Sequence, residues 1–456
     1  MKRARWVFGA AAVAGVVVLV VPAVGQGKAQ PAALKWSRSR GGATIASSDF
    51  GTFAYGASVS RWFWLGSSSS TKSGRLGISL YGVPSGPAPA FSITADRCAG
   101  KSIGKKLSCW VRVAYTPQTG GLSDDEAVLW ANSGDGEAGL VLSGSCRPSE
   151  PKGTKHLYWV DESYGKYGTV NKVPVGGGCM TTLATGQDDP GSIAVDATHV
   201  YWVNLGRPSS GGGYPNGTVN EVPIGGGTVT TLATGPSAAA GPGASVAVDG
   251  THVYWIGGGN VKKVPIGGGS VTILASGQDH PRSLATDGSN VYWVNETSVN
   301  QVPVGGGSVT TLATGGVINT AVAVDATHVY WLDAGTAPTT VNEVPIGGGS
   351  VTTLGTGGFV PWSLAVDSTH VYWADLGCCV REVPLGGGTV TNLATGQTNP
   401  WSVAVDGDHV YWVNVADWSA GDPTGTGTVN ALWLGGGSPT TLAAGLTDPS
   451  SVVVGP

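Results

Sequence analysis

Seven Tyr-Trp pairs recur in the last two thirds of this 456-residue chain, at intervals of 38 to 53 residues. After a loop of variable length, each pair is followed by a segment close to Val-Pro-Ile-Gly-Gly-Gly and another close to Thr-Thr-Leu-Ala. A unit that recurs at this period is one supersecondary element that is copied along the chain and stacked against its neighbours. The pairs are Tyr158-Trp159, Tyr201-Trp202, Tyr254-Trp255, Tyr292-Trp293, Tyr330-Trp331, Tyr372-Trp373 and Tyr411-Trp412.

Each unit contains four short apolar runs separated by turn residues. In the second unit the runs cover residues 192–196, 199–203, 218–224 and 229–233, and they are rich in the β-branched and aromatic residues that favour strands. Alternate residues of a strand face opposite sides, so the continuous apolar run at 199–203 places apolar side chains on both faces of a sheet. Four-stranded sheets that are buried on both faces and repeat about every 40 residues are the blades of a β-propeller.

The first unit, which starts at His156, lacks the first of the four runs. Residues 450–454, Ser-Ser-Val-Val-Val, have the pattern of the missing run. We therefore expect the C-terminal strand to complete the first sheet and to hide strand edges that would otherwise invite aggregation. The sequence predicts an all-β fold class with a seven-bladed β-propeller over residues 156–456.

A recurring Asp opens the turn before six of the seven Tyr-Trp runs and is expected to accept hydrogen bonds from nearby backbone amides. Most histidines end the same turn, and equivalent residues of different blades are spread around a ring, so they cannot converge on one ion. We expect them to be turn residues, and the sequence predicts no metal site and no cofactor. Only His280 departs from this pattern, and one histidine makes no zinc site. The turn histidines are His156, His199, His252, His328, His370 and His409.

The repeat resembles the YWTD-like β-propellers of bacterial secreted proteins and of lipoprotein receptors over residues 154–456. Asp161, Asp333 and Asp375 complete Tyr-Trp-x-Asp as in that family, other copies have Asn, and the Ile256-Gly257 copy loses the position. The resemblance implies a propeller and says little about activity. Receptor propellers of this type have six blades, so the seven units here depart from them.

Residues 41–145 contain short β-like runs and no helical periodicity. The order Phe-Ser-Ile-Thr from Phe91, then Cys98, then Leu-Ser-Cys to Cys109, then Tyr-Thr-Pro from Tyr115 resembles the choice-of-anchor D family, which is related to Hydin-type domains. That resemblance implies an immunoglobulin-like β-sandwich that acts as a spacer or adhesion module. The run Trp-Phe-Trp-Leu-Gly from Trp62 departs from the family, which has a polar strand there. Residues 146–155 are the expected linker.

The N-terminus has the pattern of a secretory signal peptide over residues 1–29, with Lys2, Arg3 and Arg5 before an apolar run. The alternative is an uncleaved anchor, because the run approaches the length that spans a membrane. Export places the protein outside the cell or in the cell envelope and favours disulfides. Candidate pairs are Cys98–Cys109 and Cys146–Cys179, and the adjacent Cys378 and Cys379 form a vicinal disulfide, a loop bridge or two free thiols.

The net charge is −4 and only 12% of residues are charged, with no basic run. Nucleic acid and anionic membranes are therefore unexpected partners. Sequence variation between the seven copies concentrates in the loops between second and third runs and in the connections between units, and binding residues concentrate on variable loops carried by a rigid scaffold. This rim provides the candidate ligand-binding residues Trp362, Trp401, Arg282, His280, Asp188, Asp189, Tyr164, Tyr167, Tyr214 and Trp418.

Exposed aromatic rings beside carboxylates suit recognition of a protein or a glycan. The alternative is that Trp362 and Trp401 plug the central channel or pack between blades. We expect a secreted, non-enzymatic binding or adhesion protein, most simply a monomer, and no catalytic residues are assigned. The alternative is a secreted, metal-dependent propeller enzyme of lactonase or lyase type at the channel mouth. A structural role in an envelope or spore coat is a third reading.

Overall fold

The computed structural model of the chain describes residues 34–40, 42–54, 58–68, 72–73, 75–82, 90–104, 107–116, 124–133, 137–147, 153–162, 168–206, 216–235, 245–315, 319–335, 338–358, 361–415 and 427–456. The predicted signal peptide at 1–29 lies outside these residues. All regular secondary structure in the described ranges is β-strand. No helix within them is long and apolar enough to cross a membrane.

Two four-stranded sheets form the N-terminal part. Their strands are β1 (Leu34–Ser37), β2 (Ser47–Ala54), β3 (Val59–Ser67), β4 (Gly77–Gly82), β5 (Phe91–Asp96), β6 (Ser108–Tyr115), β7 (Asp124–Asn132) and β8 (Glu137–Arg147). One sheet has the order β1-β3-β6-β5 and the other the order β2-β8-β7-β4. The β2-β8 pair is parallel and the other pairs are antiparallel.

These two sheets share one hydrophobic core. Phe63 and Val111 of the first sheet and Leu129 and Leu140 of the second are fully buried members of the same cluster. Cys98 and Cys109 form the disulfide favoured by their spacing. Strand β1 precedes residue 41, the expected start of this part, and β8 continues through the first two residues of the expected linker. A four-residue strand such as β1 is too short for its alternation to be recognised from sequence.

Twenty-eight strands follow in the described part of the chain from residue 153 onwards. They are β9 (His156–Asp161), β10 (Gly168–Pro174), β11 (Thr181–Gln187), β12 (Pro190–Val195), β13 (His199–Asn204), β14 (Thr218–Pro223), β15 (Thr230–Thr234), β16 (Val246–Val248), β17 (His252–Ile256), β18 (Val261–Pro265), β19 (Thr272–Ala275), β20 (Ser283–Thr286), β21 (Asn290–Val294), β22 (Ser298–Pro303), β23 (Thr310–Thr314), β24 (Asn319–Val324), β25 (His328–Asp333), β26 (Thr340–Pro345), β27 (Thr352–Thr356), β28 (Pro361–Val366), β29 (His370–Asp375), β30 (Cys379–Pro384), β31 (Thr391–Ala394), β32 (Pro400–Val405), β33 (His409–Asn414), β34 (Gly427–Trp433), β35 (Thr440–Leu446) and β36 (Pro449–Gly455).

Six of the seven C-terminal sheets contain four consecutive strands, from β12–β15 to β32–β35. The remaining sheet has the order β11-β10-β9-β36, so the C-terminal strand is its innermost strand, as the sequence predicts. In the register of this pair, Val452 lies opposite Trp159. The innermost strands contact one another in the cycle β36, β12, β16, β20, β24, β28, β32 and again β36.

The Tyr-Trp pair explains how neighbouring sheets are held together. Adjacent residues of a strand point to opposite faces, and the Tyr of one sheet packs in the same core cluster as the Trp of the next. Tyr158 and Trp202 share one cluster, and Tyr411 shares another with Trp159 of the first sheet. Seven such clusters form a closed cycle, so both faces of every sheet are buried, as the continuous apolar runs predict.

The recurring Asp turn has the predicted geometry. Asp196 Oδ1 accepts hydrogen bonds from the amides of Thr198 at 2.6 Å and His199 at 2.7 Å, and its Oδ2 accepts one from the Tyr201 hydroxyl at 2.8 Å. Burial alone would raise the pKa of Asp196, but these hydrogen bonds outweigh it and the pKa is lowered. The role of the Asp as a turn acceptor is confirmed, and the same Tyr hydroxyl bond recurs at Asp249, Asp287, Asp325, Asp367 and Asp406.

The last position of the Tyr-Trp-x-Asn copies also has a structural explanation. Gln187 Oε1 accepts from the Trp202 indole at 2.9 Å and from the Asn204 amide at 3.1 Å. The same arrangement joins Gln278 to Trp293 and Asn295, and Gln397 to Trp412 and Asn414. Asn suits these copies because its side-chain amide is a second donor to the Gln oxygen. Asp161, in contrast, accepts hydrogen bonds from the backbone amides of Thr447 and Asp448.

Candidate functional site

One side-chain position at the start of the innermost strands differs from sheet to sheet. Five of the seven sheets have the pattern Pro-x-Ser at this place, and the register shifts between Pro and Ser in β12, β28, β32 and β36. At β24 the equivalent residues are Asn319, Thr320 and Ala321. A β-bulge leaves its extra residue outside the ladder and redirects its side chain. Residue x is therefore not required for strand pairing. In the described copies it is Gly191, Arg282, Thr320, Trp362, Trp401 or Ser450.

These six residues line one cavity of about 220 Å³ that is surrounded by the innermost strands of all seven sheets. The Ser that follows x also lines the cavity, but its role is structural. Ser402 Oγ accepts from the Val452 amide of the next sheet at 3.1 Å, and Ser363 Oγ does the same for Val403 at 3.0 Å. Where it is present, the Ser therefore ties neighbouring sheets together, while the variable residue before it faces the cavity.

Trp362 and Trp401 form the most distinctive contact of the cavity. Their rings stack with centroids 5.5 Å apart and an interplanar angle of 22°. Both are half-buried and line the cavity, so they present indole surface to it. The Trp362 Nε1 donor is buried and has no hydrogen-bond partner among the described residues.

Two further buried polar groups at the cavity also lack a hydrogen-bond partner among the described residues. They are Arg282 Nε and Thr320 Oγ1. The Arg282 guanidinium lies 4.0 Å from Glu296 Oε1 through its other end. A buried polar group without a partner costs roughly 1–3 kcal/mol, so a ligand atom that reached these groups would remove that cost.

The remaining predicted residues lie beside the cavity or outside the described ranges. His280 is exposed and contacts Asp279 at 2.7 Å, and neither His280 nor Asp188 nor Asp189 lines the cavity. Asp189 and His280 have positive φ values of 62° and 48°, directly before Pro190 and Pro281, so they shape the turn that enters the bulge. Tyr164, Tyr167, Tyr214 and Trp418 lie outside the described residues.

Glu162 and Asp448 interact with each other and with Asp161 and the predicted residue Asp189, but the sequence did not identify Glu162 or Asp448 as site residues. Burial, reinforced by the charges of Asp189, Asp448 and Asp161, raises the pKa of Glu162 to about 8. Burial and the charges of Asp161 and Asp189 raise the pKa of Asp448 to about 6. The sequence signal was weak because Glu162 simply follows the Tyr-Trp-Val-Asp copy. Within the described residues, no group of three or more His, Cys, Asp or Glu side chains is placed to hold a metal ion.

The other predicted disulfides lie on the propeller-like part. Cys378 and Cys379 form a vicinal disulfide in the connection between β29 and β30. Beside it, the Arg381 guanidinium donates to Asp375 Oδ2 at 2.9 Å, and Asp375 is buried. Cys179 is disulfide-bonded, and the side chain of its expected partner, Cys146, lies outside the described residues.

No protein-family model and no curated protein matches this chain. Among solved structures, a Bacteroides uniformis protein named for 6-phosphogluconolactonase is 12% identical and matches 66% of this chain and 99% of its own with a TM-score of 0.50. A nidogen/laminin complex structure is 15% identical over 66% of this chain and 98% of that chain, with a TM-score of 0.42. TolB from Acinetobacter baumannii is 12% identical over 74% and 80%, with a TM-score of 0.44. The similarity to the Bacteroides uniformis protein indicates fold alone. It agrees with the cyclic arrangement of four-stranded sheets, so the chain contains a β-propeller.

Proposed function

We propose that the protein is a seven-bladed β-propeller closed by its C-terminal strand, over residues 156–456, with an immunoglobulin-like β-sandwich at 41–145 and a linker at 146–155. The seven cyclic core clusters support the blade number. The order β1-β3-β6-β5 matches the A-B-E-D sheet of immunoglobulin-like domains, and β8-β7-β4 matches G-F-C.

The cavity at the channel mouth is the proposed binding site for a protein or glycan ligand. One observation carries this proposal: the stacked Trp362–Trp401 pair and the unpaired Arg282 Nε, at the starts of three innermost strands, line a single cavity. If residue x only had to fill the central channel, the same residue type could occupy this position in every sheet. The diversity of residue x favours recognition over packing.

The shape and chemistry of the cavity narrow what can enter it. Its volume of about 220 Å³ is smaller than the roughly 300–1,000 Å³ of pockets that enclose whole small molecules. A terminal sugar or a single side chain of a larger ligand is the size that fits. The unpaired Trp362 Nε1 and Arg282 Nε are donors, so the entering group should carry acceptor oxygens and a flat surface that stacks on indole.

A glycan array and a protein pull-down with the full chain test this proposal. Trp362→Ala combined with Trp401→Ala should abolish binding, whereas Trp433→Ala, which removes an exposed indole from β34, should leave it intact. Matching thermal unfolding of the variants and wild type excludes a folding defect. Retention of full binding by the double variant would overturn the assignment of the cavity.

The enzymatic reading is separated from binding by metal analysis of the purified protein. Stoichiometric calcium, magnesium or zinc would favour a metal-dependent lactonase or lyase over a binding protein. A metal-free protein that binds its ligand without altering it would support the non-enzymatic proposal.

We also infer export through a signal peptide at residues 1–29. The Cys98–Cys109 disulfide is typical of oxidising compartments outside the cytoplasm. Expression with and without residues 1–29, followed by cell fractionation and N-terminal sequencing, tests this. Cytoplasmic retention of the full chain would contradict export, and an intact N-terminus on a membrane-bound product would indicate an anchor instead.

A further inference from the structure

The outer face of the first sandwich sheet combines exposed indoles with cations. Phe63 and Val111 lie opposite each other and point into the core, so their strand neighbours point outwards. Those neighbours pair across β3 and β6 as Trp62 with Arg112 and Trp64 with Trp110. We call this surface the Trp62 face, and it consists of Lys35, Trp62, Trp64, Arg97, Trp110 and Arg112.

The indoles and guanidiniums of the Trp62 face are arranged against one another. Trp62 is 46% exposed and meets Trp110 edge-on with ring centroids 4.5 Å apart. The Arg112 guanidinium lies 5.5 Å from the Trp62 ring centre, and the Arg97 guanidinium lies 5.9 Å from that of Trp110. Cation–π contacts hold flexible Arg side chains in place, so their N–H groups are positioned before a ligand arrives.

Charge is distributed unequally between the two sheets. Strands β1, β3, β5 and β6 contain three basic residues and one acidic residue, Asp96. That carboxylate accepts the backbone amides of Cys98 and Ala99. Strands β2, β4, β7 and β8 contain five acidic residues and one basic residue. In the described part of the chain, Lys35, Arg97 and Arg112 have no acidic partner within ion-pair distance, so the Trp62 face is cationic.

A shallow depression continues the Trp62 face beyond Trp64. It has a volume of about 630 Å³, and its lining includes Lys35, Arg40 and the hydroxyl-bearing residues Thr44 and Ser67. The surface is therefore longer than a single ring contact and offers stacking, cationic and hydroxyl groups in sequence.

We propose that the Trp62 face binds an anionic polysaccharide, through sugar rings stacked on the indoles and carboxylates paired with the arginines. Exposed indole alone would suit a neutral glycan, but the three cations would then lack partners. Single-stranded nucleic acid would require a positively charged groove that follows the backbone, whereas this face is a sheet surface on a chain with net charge −4. The site is separate from the propeller cavity and does not depend on its function.

Affinity electrophoresis and calorimetry of the full chain with polygalacturonate test this proposal. The matched neutral polymer is fully methyl-esterified polygalacturonate, which keeps the sugar backbone and masks the carboxylates. Binding of the acidic polymer should be about tenfold or more tighter, and it should weaken as salt is added. Single-stranded DNA and anionic phospholipid vesicles serve as alternative polyanions.

Two sets of variants locate the binding. Trp62→Ala, and Arg97→Gln combined with Arg112→Gln, should each weaken polygalacturonate binding by about tenfold or more. Lys72→Gln combined with Arg75→Gln removes two exposed charges elsewhere in the sandwich and should have no effect. Trp362→Ala combined with Trp401→Ala should also leave this binding unchanged, which separates it from the propeller site.

Several results would overturn the proposal. These are equal affinity for the acidic and esterified polymers, no binding of either polymer, or binding that the Trp62-face variants leave intact. Tighter binding of DNA or vesicles through the same residues would assign the face to that polyanion instead.

Discussion

Replacing Tyr292 by Phe removes a hydroxyl that joins the second strand of a blade to the turn before it. The Tyr292 side chain is fully buried, and its hydroxyl donates to Asp287 Oδ2 at 2.9 Å. Hydrogen bonds to a charged group contribute roughly 1.5–3 kcal/mol to stability. Because Asp287 is exposed and water can replace the lost donor, we expect Tyr292→Phe to cost an amount at the lower end of that range, about 1.5 kcal/mol at pH 7.

The cost should depend on pH in a defined direction. Burial opposes ionisation of Asp287, but hydrogen bonds from Asn290, Ser289 and Tyr292 outweigh it and lower the pKa. A carboxyl with a lowered folded-state pKa contributes stability that is complete above the unfolded value of about 3.9 and is lost as the pH falls through the folded value. The destabilisation by Tyr292→Phe should therefore be constant from pH 7 to about pH 5 and shrink below about pH 4.

Thr311 supplies a control within the same sheet. Its hydroxyl donates to the side-chain oxygen of Asn300 at 2.9 Å, so the acceptor is a neutral amide. Thr311→Val should cost about 0.5–1 kcal/mol, with no change between pH 7 and pH 3, because neither group titrates in that range. Urea unfolding followed by tryptophan fluorescence measures both variants. Equal costs of Tyr292→Phe at the two pH values, or the same pH dependence for Thr311→Val, would refute the reasoning.

Three further predictions concern other parts of the fold. Ala321→Ser should stabilise the protein by about 1 kcal/mol. The new hydroxyl can accept a hydrogen bond from the Leu364 amide, as the Ser363 hydroxyl does from the Val403 amide. An unchanged urea midpoint would contradict this. Folding stability should fall as the pH rises from about 4.5 to about 8, because Glu162 keeps its proton when folded. Glu162→Gln should therefore raise the Tm at pH 8 but not at pH 5, and equal shifts would argue against a buried neutral Glu162. Replacing Cys98 and Cys109 together by Ala should cost the sandwich about 3 kcal/mol, and a loss below 1 kcal/mol on denaturant titration would show that the disulfide constrains little.

Local chemistry made the scaffold predictable from sequence. The turn at Asp196 and the completion of the first sheet by residues 450–454 follow from residue types at short spacing, and both are present in the structure. The residues that line the cavity were harder to predict from the sequence. Trp362, Trp401 and Arg282 were selected from variable connections, but Thr320 and Ser450 are recognised as lining residues only once the innermost strands are placed around the cavity.

The Trp62 face could not be predicted from the sequence either. The sequence marks the run from Trp62 as a departure from its family resemblance, and nothing in the run indicates a cationic neighbourhood. Arg112 and Lys35 come from strands that are distant in sequence and meet Trp62 and Gly66 only through sheet pairing. A cationic face assembled from three strands leaves no basic run in the chain, so composition and local patterns miss it.

Because β36 pairs with β9, the first sheet cannot be completed until the last strand has been synthesised. Strand β9 ends at Asp161 and its partner begins at Pro449. At about 5–20 residues per second, a ribosome needs about 15–60 s to make the intervening chain. During that interval β9 has an unpaired edge, and the Trp159 cluster lacks Tyr411 and Val452. A nascent chain of this design cannot finish its ring early, so a chaperone or an export pathway that accepts unfolded protein must protect the first blade until the last strand is made.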